Sequence, residues 1–135
     1  MRTLSRILRP RLEATAHCDL PCGVYDPAQA RIEAQSVKAC MEKYQGSNDP
    51  VFQERAVFIK EERADLVKHH LWVLWTDYFK PDHLKSYPQL HELFWKATKM
   101  AGDCKRSHDP ADGQKLLDEI HEISDIFWKT KENAA

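Results

Sequence analysis

The chain predicts an all-α fold: an antiparallel four-helix bundle preceded by a short non-helical hook. Three observations carry the bundle. Only 4 of 135 residues are Gly, in a chain that is 42% hydrophobic and 30% charged, which favours long helices over Gly-punctuated sheet. Three Asp-Pro pairs, Asp26-Pro27, Asp49-Pro50 and Asp109-Pro110, each set an N-cap acceptor ahead of a residue whose fixed φ and missing N–H suit the first helical turn. Apolar residues then recur at helical spacing, and no segment alternates with a period of two.

The first helix is predicted from Pro27 to Gln45, closing near Gly46, with Ile32, Val37, Cys40, Met41 and Tyr44 on one face. The second runs from Pro50 to Phe79, carries Phe52, Ala56, Ile59, Leu66, His70, Leu74 and Tyr78 along one side, and is stopped by Pro81. Ser86-Tyr87-Pro88-Gln89 reads as a capping box opening the third, whose inward face is Leu90, Phe94, Ala97, Ala101 and Cys104. The fourth follows Pro110 with Leu116, Ile120, Ile123 and Phe127. Linkers of a few residues force neighbouring helices antiparallel. Trp72, Trp75, Phe94, Trp95, Phe127 and Trp128 exceed what the inner faces need, so some are expected at a subunit interface.

One domain accounts for this length. The longest apolar run, Leu71 to Trp75, is five residues, far short of the ~18 that suggest a membrane span. Residues 1–16 carry four Arg and one Glu, leaving sixteen basic and twenty acidic residues elsewhere, a net charge of −4 with no basic stretch to follow a phosphate backbone. Neither a membrane nor a nucleic acid is an expected partner. Four Cys are too few for a disulfide scaffold, and Cys40 and Cys104, on core-facing helical positions, read as inert buried thiols.

Chemistry concentrates in His17-Cys18-Asp19-Leu20-Pro21-Cys22-Gly23-Val24-Tyr25, between an Arg-rich leader and the first helix. The leader, residues 1–16, ends in Ala14-Thr15-Ala16 but lacks the ~7–15 residue apolar stretch of a secretory signal. A cytoplasmic location is expected, with organellar targeting as the other reading of its composition. Cys-x-x-x-Cys around a Pro–Gly turn suits a metal-binding hook over residues 17–25, and equally suits two incidental loop thiols. No zinc-finger spacing accompanies it, and His69 and His70 fall inside the second helix. Cleavage between Ala16 and His17 would change the donor set. The freed amine and the Cys18 amide nitrogen close one chelate ring, that amide and the Cys18 thiolate another, and the Cys22 thiolate completes a plane. Two nitrogens and two sulfurs in square-planar array suit Ni(II), with the His17 imidazole left as an axial ligand for Ni(III).

HCDLPCGVYDPAQARIEA, KHHLWVLWTDYFKP and the closing IFWKTK resemble nickel superoxide dismutases, from His17 nearly to the C-terminus. The resemblance implies a four-helix-bundle subunit, residues 26–135, assembled as a homohexamer and made as a precursor trimmed by a processing protease to expose His17. It implies one nickel per chain on His17, Cys18 and Cys22, and a Ni(II)/Ni(III) cycle converting superoxide to O₂ and H₂O₂. It further implies that Glu33 and Arg63 orient the axial imidazole, that Tyr25 stands beside the open face of the metal, and that Asp19 and Pro21 shape the hook, Pro21 through a cis peptide. Because the trimmed chain is net negative, Lys80 or its neighbours are expected to attract the substrate anion. Two other classes would use the same residues: a thiol-based metal-trafficking protein working through Cys18 and Cys22, and a non-catalytic helical-bundle binding protein.

Overall fold

The computed structural model describes residues 23–133. Its elements are α1 (Ala28–Gln45), α2 (Pro50–Val73), a π-helical turn (Leu74–Tyr78), the short α3 (Pro81–Ser86), α4 (Leu90–Arg106) and α5 (Pro110–Glu132). Among the described residues there is no strand. At all three Asp-Pro pairs the carboxylate accepts from the N–H two residues on, Asp26 from Ala28 at 2.8 Å, Asp49 from Val51 at 3.0 Å and Asp109 from Ala111 at 2.9 Å. Asp49 and Asp109 are N-caps as predicted, whereas α1 starts one residue late, with Pro27 at the N-cap position. α1 packs on α2 and α5, and α4 packs on α2 and α5. The four long helices therefore close a ring around one core.

The inward faces of α4 and α5 are those predicted. Those of α1 and α2 differ, because alanines rather than the bulkiest apolar residues lead the buried stripe. On α1 it runs Ala30, Ala34, Val37, Met41, with Ile32 half-exposed and Cys40 and Tyr44 half-buried. On α2 it is Ala56, Lys60, Ala64, Val67, Leu71 and Leu74, one position out of step with Ile59, Leu66 and His70, while Phe52 and Phe58 face solvent. Small residues let helix axes approach more closely than branched side chains do. The same device recurs where α1 meets α5, since a Cβ on Gly113 would lie 2.8 Å from the Cβ of Lys38. Of the surplus aromatics, Phe94 and Phe127 are buried and Trp75 packs on Phe94, whereas Trp72, Trp95 and Trp128 are about half-exposed.

Two corrections concern the stretch between α2 and α4. The second helix does not run regularly to Phe79. It widens at Leu74, and the Phe79 N–H bonds the Leu74 carbonyl at 3.0 Å across an extra residue. Ser86 does not cap α4 either: it is the last residue of α3, which Pro81 starts, and α4 begins behind Gln89 with no side-chain cap.

The α1–α2 and α4–α5 turns share one end of the bundle, and a buried lysine ties them together. Lys60 is 1% exposed. Its ammonium donates to the Ser107 carbonyl and lies 3.3 Å from Nδ1 of His108, whose ring stacks on Tyr44 with centroids 4.2 Å apart. Gln45 Nε2 donates to the His108 carbonyl at 3.1 Å. Burial, then the nearby Lys60 charge, pulls the His108 pKa down, and burial pulls that of Lys60 down.

Candidate metal centre

Ala16, His17, Cys18, Asp19, Pro21 and Cys22 lie outside the described residues. The first described residue is Gly23, at φ +71°, a left-handed conformation that glycine adopts without strain. One residue past the last predicted thiol ligand, the backbone thus turns toward α1. Tyr25 follows, half-buried, its ring 5.7 Å from that of Tyr78.

Around these two tyrosines is a hollow of about 410 Å³. Gly23 and Tyr25 form one wall; the π turn supplies Asp77 and Tyr78, the following strand-like residue Lys80, α3 His83, and the last turn of α5 Thr130 and Lys131. The wide turn is what delivers Tyr78 here. Its hydroxyl is 2.7 Å from Thr130 Oγ1, which itself donates to the Phe127 carbonyl at 2.6 Å. Lys131 Nζ stands 5.0 Å from the centroid of the Tyr78 ring, and His83 stacks against the same ring at 5.6 Å. The Lys80 backbone N–H donates to His83 Nδ1 at 3.2 Å, so the Nε2 of a neutral His83 carries the ring proton. Two ammonium groups, Lys80 and Lys131, against the single carboxylate of Asp77 make this hollow attractive to a small anion. Lys80, the residue expected to attract the substrate anion, is among those that line the hollow.

The structure also brings Glu33 and Arg63 together, with Nη1 to Oε2 3.3 Å and Glu62 completing the guanidinium's contacts at 3.7 Å. The pair sits where α1 crosses α2 and is not part of the hollow's lining.

Whether nickel suits this chain turns on its donors. Among the described residues no group of three or more His, Cys, Asp or Glu converges to hold a metal. Cys104 is fully buried, and burial pushes its thiol up to about 11; burial also raises that of half-buried Cys40. Neither is a ready thiolate; Cys104 is buried as expected, whereas Cys40 is half-buried rather than core-facing. The thiols left for metal chemistry are Cys18 and Cys22, and with the His17 nitrogens they make a set that fits nickel.

Sequence reasoning missed Asp77, Tyr78, His83, Thr130 and Lys131. The motif KHHLWVLWTDYFKP held two of them, but nothing in its periodicity marks the extra residue that turns Tyr78 out of the helix's apolar stripe.

A model of the family "Nickel-containing superoxide dismutase" matches residues 12–131. The chain is 60% identical over 128 residues to the superoxide dismutase [Ni] of Streptomyces coelicolor, covering 95% of this chain and 98% of the relative. It is 61% identical, with the same coverage, to that of Streptomyces seoulensis. The native nickel superoxide dismutase crystal structure at 1.30 Å superposes with a TM-score of 0.84 and 62% identity, over 86% of this chain and 99% of the solved one. A crystal structure with nickel ligation corresponding to the oxidised state gives 0.84 and 63% over the same shares.

Proposed function

This chain belongs to the nickel-containing superoxide dismutase family, and on that premise we propose that it disproportionates superoxide with one nickel ion held by His17, Cys18 and Cys22. The observation that carries this reading is the hook HCDLPCGVY joined directly to a cationic, tyrosine-lined hollow. When bound, nickel supplies the one-electron carrier, shuttling between Ni(II) and Ni(III) on an amine, an amidate and two thiolates. Two superoxide ions and two protons give one O₂ and one H₂O₂. The thiol-trafficking and binding-module readings have no comparable support.

The chain's own groups do the rest. Gly23 turns the backbone out of the hook, and Tyr25 places a phenol at its foot. Lys80 and Lys131 draw the anion in. Glu33 and Arg63, held as an ion pair, orient the imidazole of His17. Asp19 and Pro21 shape the loop between the ligands.

His17 reaches this role by removal of residues 1–16 by a protease. In support, the solved relatives are covered almost entirely yet match 86% of this chain, whereas the curated relatives match 95%; crystals of a trimmed form have that relation to a precursor. Assembly into a homohexamer is the companion proposal, supported by Trp72, Trp95 and Trp128, three large aromatics half-open to solvent.

Expressing the chain with one extra residue ahead of His17 tests the reading. Blocking the amine is expected to abolish nickel-dependent turnover, while the trimmed protein binds one nickel per chain and is active. Full nickel loading and activity in the extended form would overturn the ligand assignment.

A further inference from the structure

The hydroxyl of Thr130 has one proton, and its position is fixed by its neighbours. A carbonyl oxygen can only accept, so the 2.6 Å contact between Thr130 Oγ1 and the Phe127 carbonyl is attractive only with the threonine proton between them. At the other contact, 2.7 Å, Thr130 must then accept, and the donor is the phenol of Tyr78. Thr130 is 4% exposed and α5 fixes its side chain from behind. The phenol proton of Tyr78 therefore points into the protein, and the oxygen keeps its lone pairs for the hollow that both residues line.

This separates dioxygen species by their protons. Superoxide carries none and can only accept, so it gains nothing from a phenol oxygen whose proton is committed elsewhere. Hydrogen peroxide carries two and can donate to it. The ammonium groups of Lys80 and Lys131 have the opposite preference, since an ammonium only donates. Resting on the dismutase reading above, we propose that Thr130 is a positioning residue that holds Tyr78 as a hydrogen-bond acceptor, so that the hollow takes superoxide on its lysines and hydrogen peroxide on Tyr78.

Replacing the hydroxyl separates this role from packing. Thr130→Val keeps the side chain's shape and removes the acceptor; Thr130→Ser keeps the hydroxyl and removes the methyl. In the trimmed, nickel-loaded protein, the tyrosine Fermi doublet of the Raman spectrum distinguishes a donating phenol from an accepting one, with Tyr78→Phe identifying the contribution of Tyr78. The donating signature is expected in the parent and in Thr130→Ser and is expected to be lost in Thr130→Val. Freed in that variant, the Tyr78 proton can turn to the hollow and hold an anion. Azide, a small linear anion followed by its infrared stretch, is then expected to bind roughly threefold to tenfold more tightly, the worth of one added hydrogen bond. An unchanged doublet in Thr130→Val, equal azide affinity in all forms, or a serine variant that behaves like valine would overturn the proposal. Neither readout needs turnover. A trimmed nickel protein without dismutase activity would therefore sink the functional reading and leave the assignment of Thr130 to be decided by the spectra.

Discussion

The two ends of the bundle handle polar groups in opposite ways. At the end where α1 meets α2, a cation is drawn fully inside: among the described residues Lys60 has no carboxylate in contact, and a carbonyl and an imidazole nitrogen accept its protons. At the other end the bundle is left unsealed, and tyrosines, lysines and a histidine surround a hollow that has Gly23 in its wall. One end spends its polar contacts on binding turns together, the other on presenting groups to a small solute. Stability and chemistry are thereby separated along the helix axis, and damage at one end should leave the other largely intact.

The sharpest test of that separation lies in the hook. Cys18→Ser or Cys22→Ser removes a thiolate donor, and complete loss of nickel-dependent dismutase activity is expected, with helix content by circular dichroism and thermal midpoint unchanged. Appreciable turnover in either variant would remove that cysteine from the ligand set. At the closed end, Lys60→Ala is expected to cost roughly 2–4 kcal/mol in urea unfolding, from the emptied volume and the stranded acceptors. Lys60→Met, which refills the volume and removes the buried charge, should cost clearly less. Equal losses would show that the ammonium and not its stem carries the tie.

Between the ends stands the Glu33–Arg63 pair. Alanine at either position should lower activity by about tenfold to a hundredfold, the usual cost of losing a group that fixes a ligating histidine, with unfolding midpoints close to the parent's. A full rate in both variants would reduce the pair to a cross-brace between α1 and α2.

The smallest effect concerns pH. Folding lowers the His108 pKa below its ordinary 6.5, so the unfolded chain binds the extra proton first. The stability this neutral imidazole supports is complete above that ordinary value and falls as pH drops from there through the folded-state value. Urea midpoints measured across that window should decline in the parent and decline less in His108→Gln. Matching profiles would show that the imidazole is not what senses acid at the closed end.

How much of this was legible in the sequence follows the range of the interactions. The Asp-Pro starts are local signals and mark the helix starts to within a residue; the hook is a local signal too, and its ligands lie outside the described residues. The α2 stripe was displaced by one residue because helix contact there is set by Ala56, Ala64 and a lysine, and a reading guided by bulk follows Ile59 and Leu66 instead. Lys60 was invisible for the same reason: charge argued for solvent until Ser107 and His108, some 47 residues on, supplied the acceptors. The hollow unites Tyr25, Tyr78 and Thr130 from three separate stretches, so spacing alone cannot announce it.

The π turn carries a consequence for length variation. It accommodates one residue more than regular α geometry would between Leu74 and Phe79. Deleting a single residue there would let the helix rewind to regular α geometry, with Phe79 and everything beyond it keeping its angular place and only the residues inside the turn swinging around the axis. Tyr78 would leave Thr130 while the rest of the core stayed in register. A one-codon loss at this point would thus spare the architecture and erase the chamber, making this short segment the place where shortened descendants would part company with their chemistry.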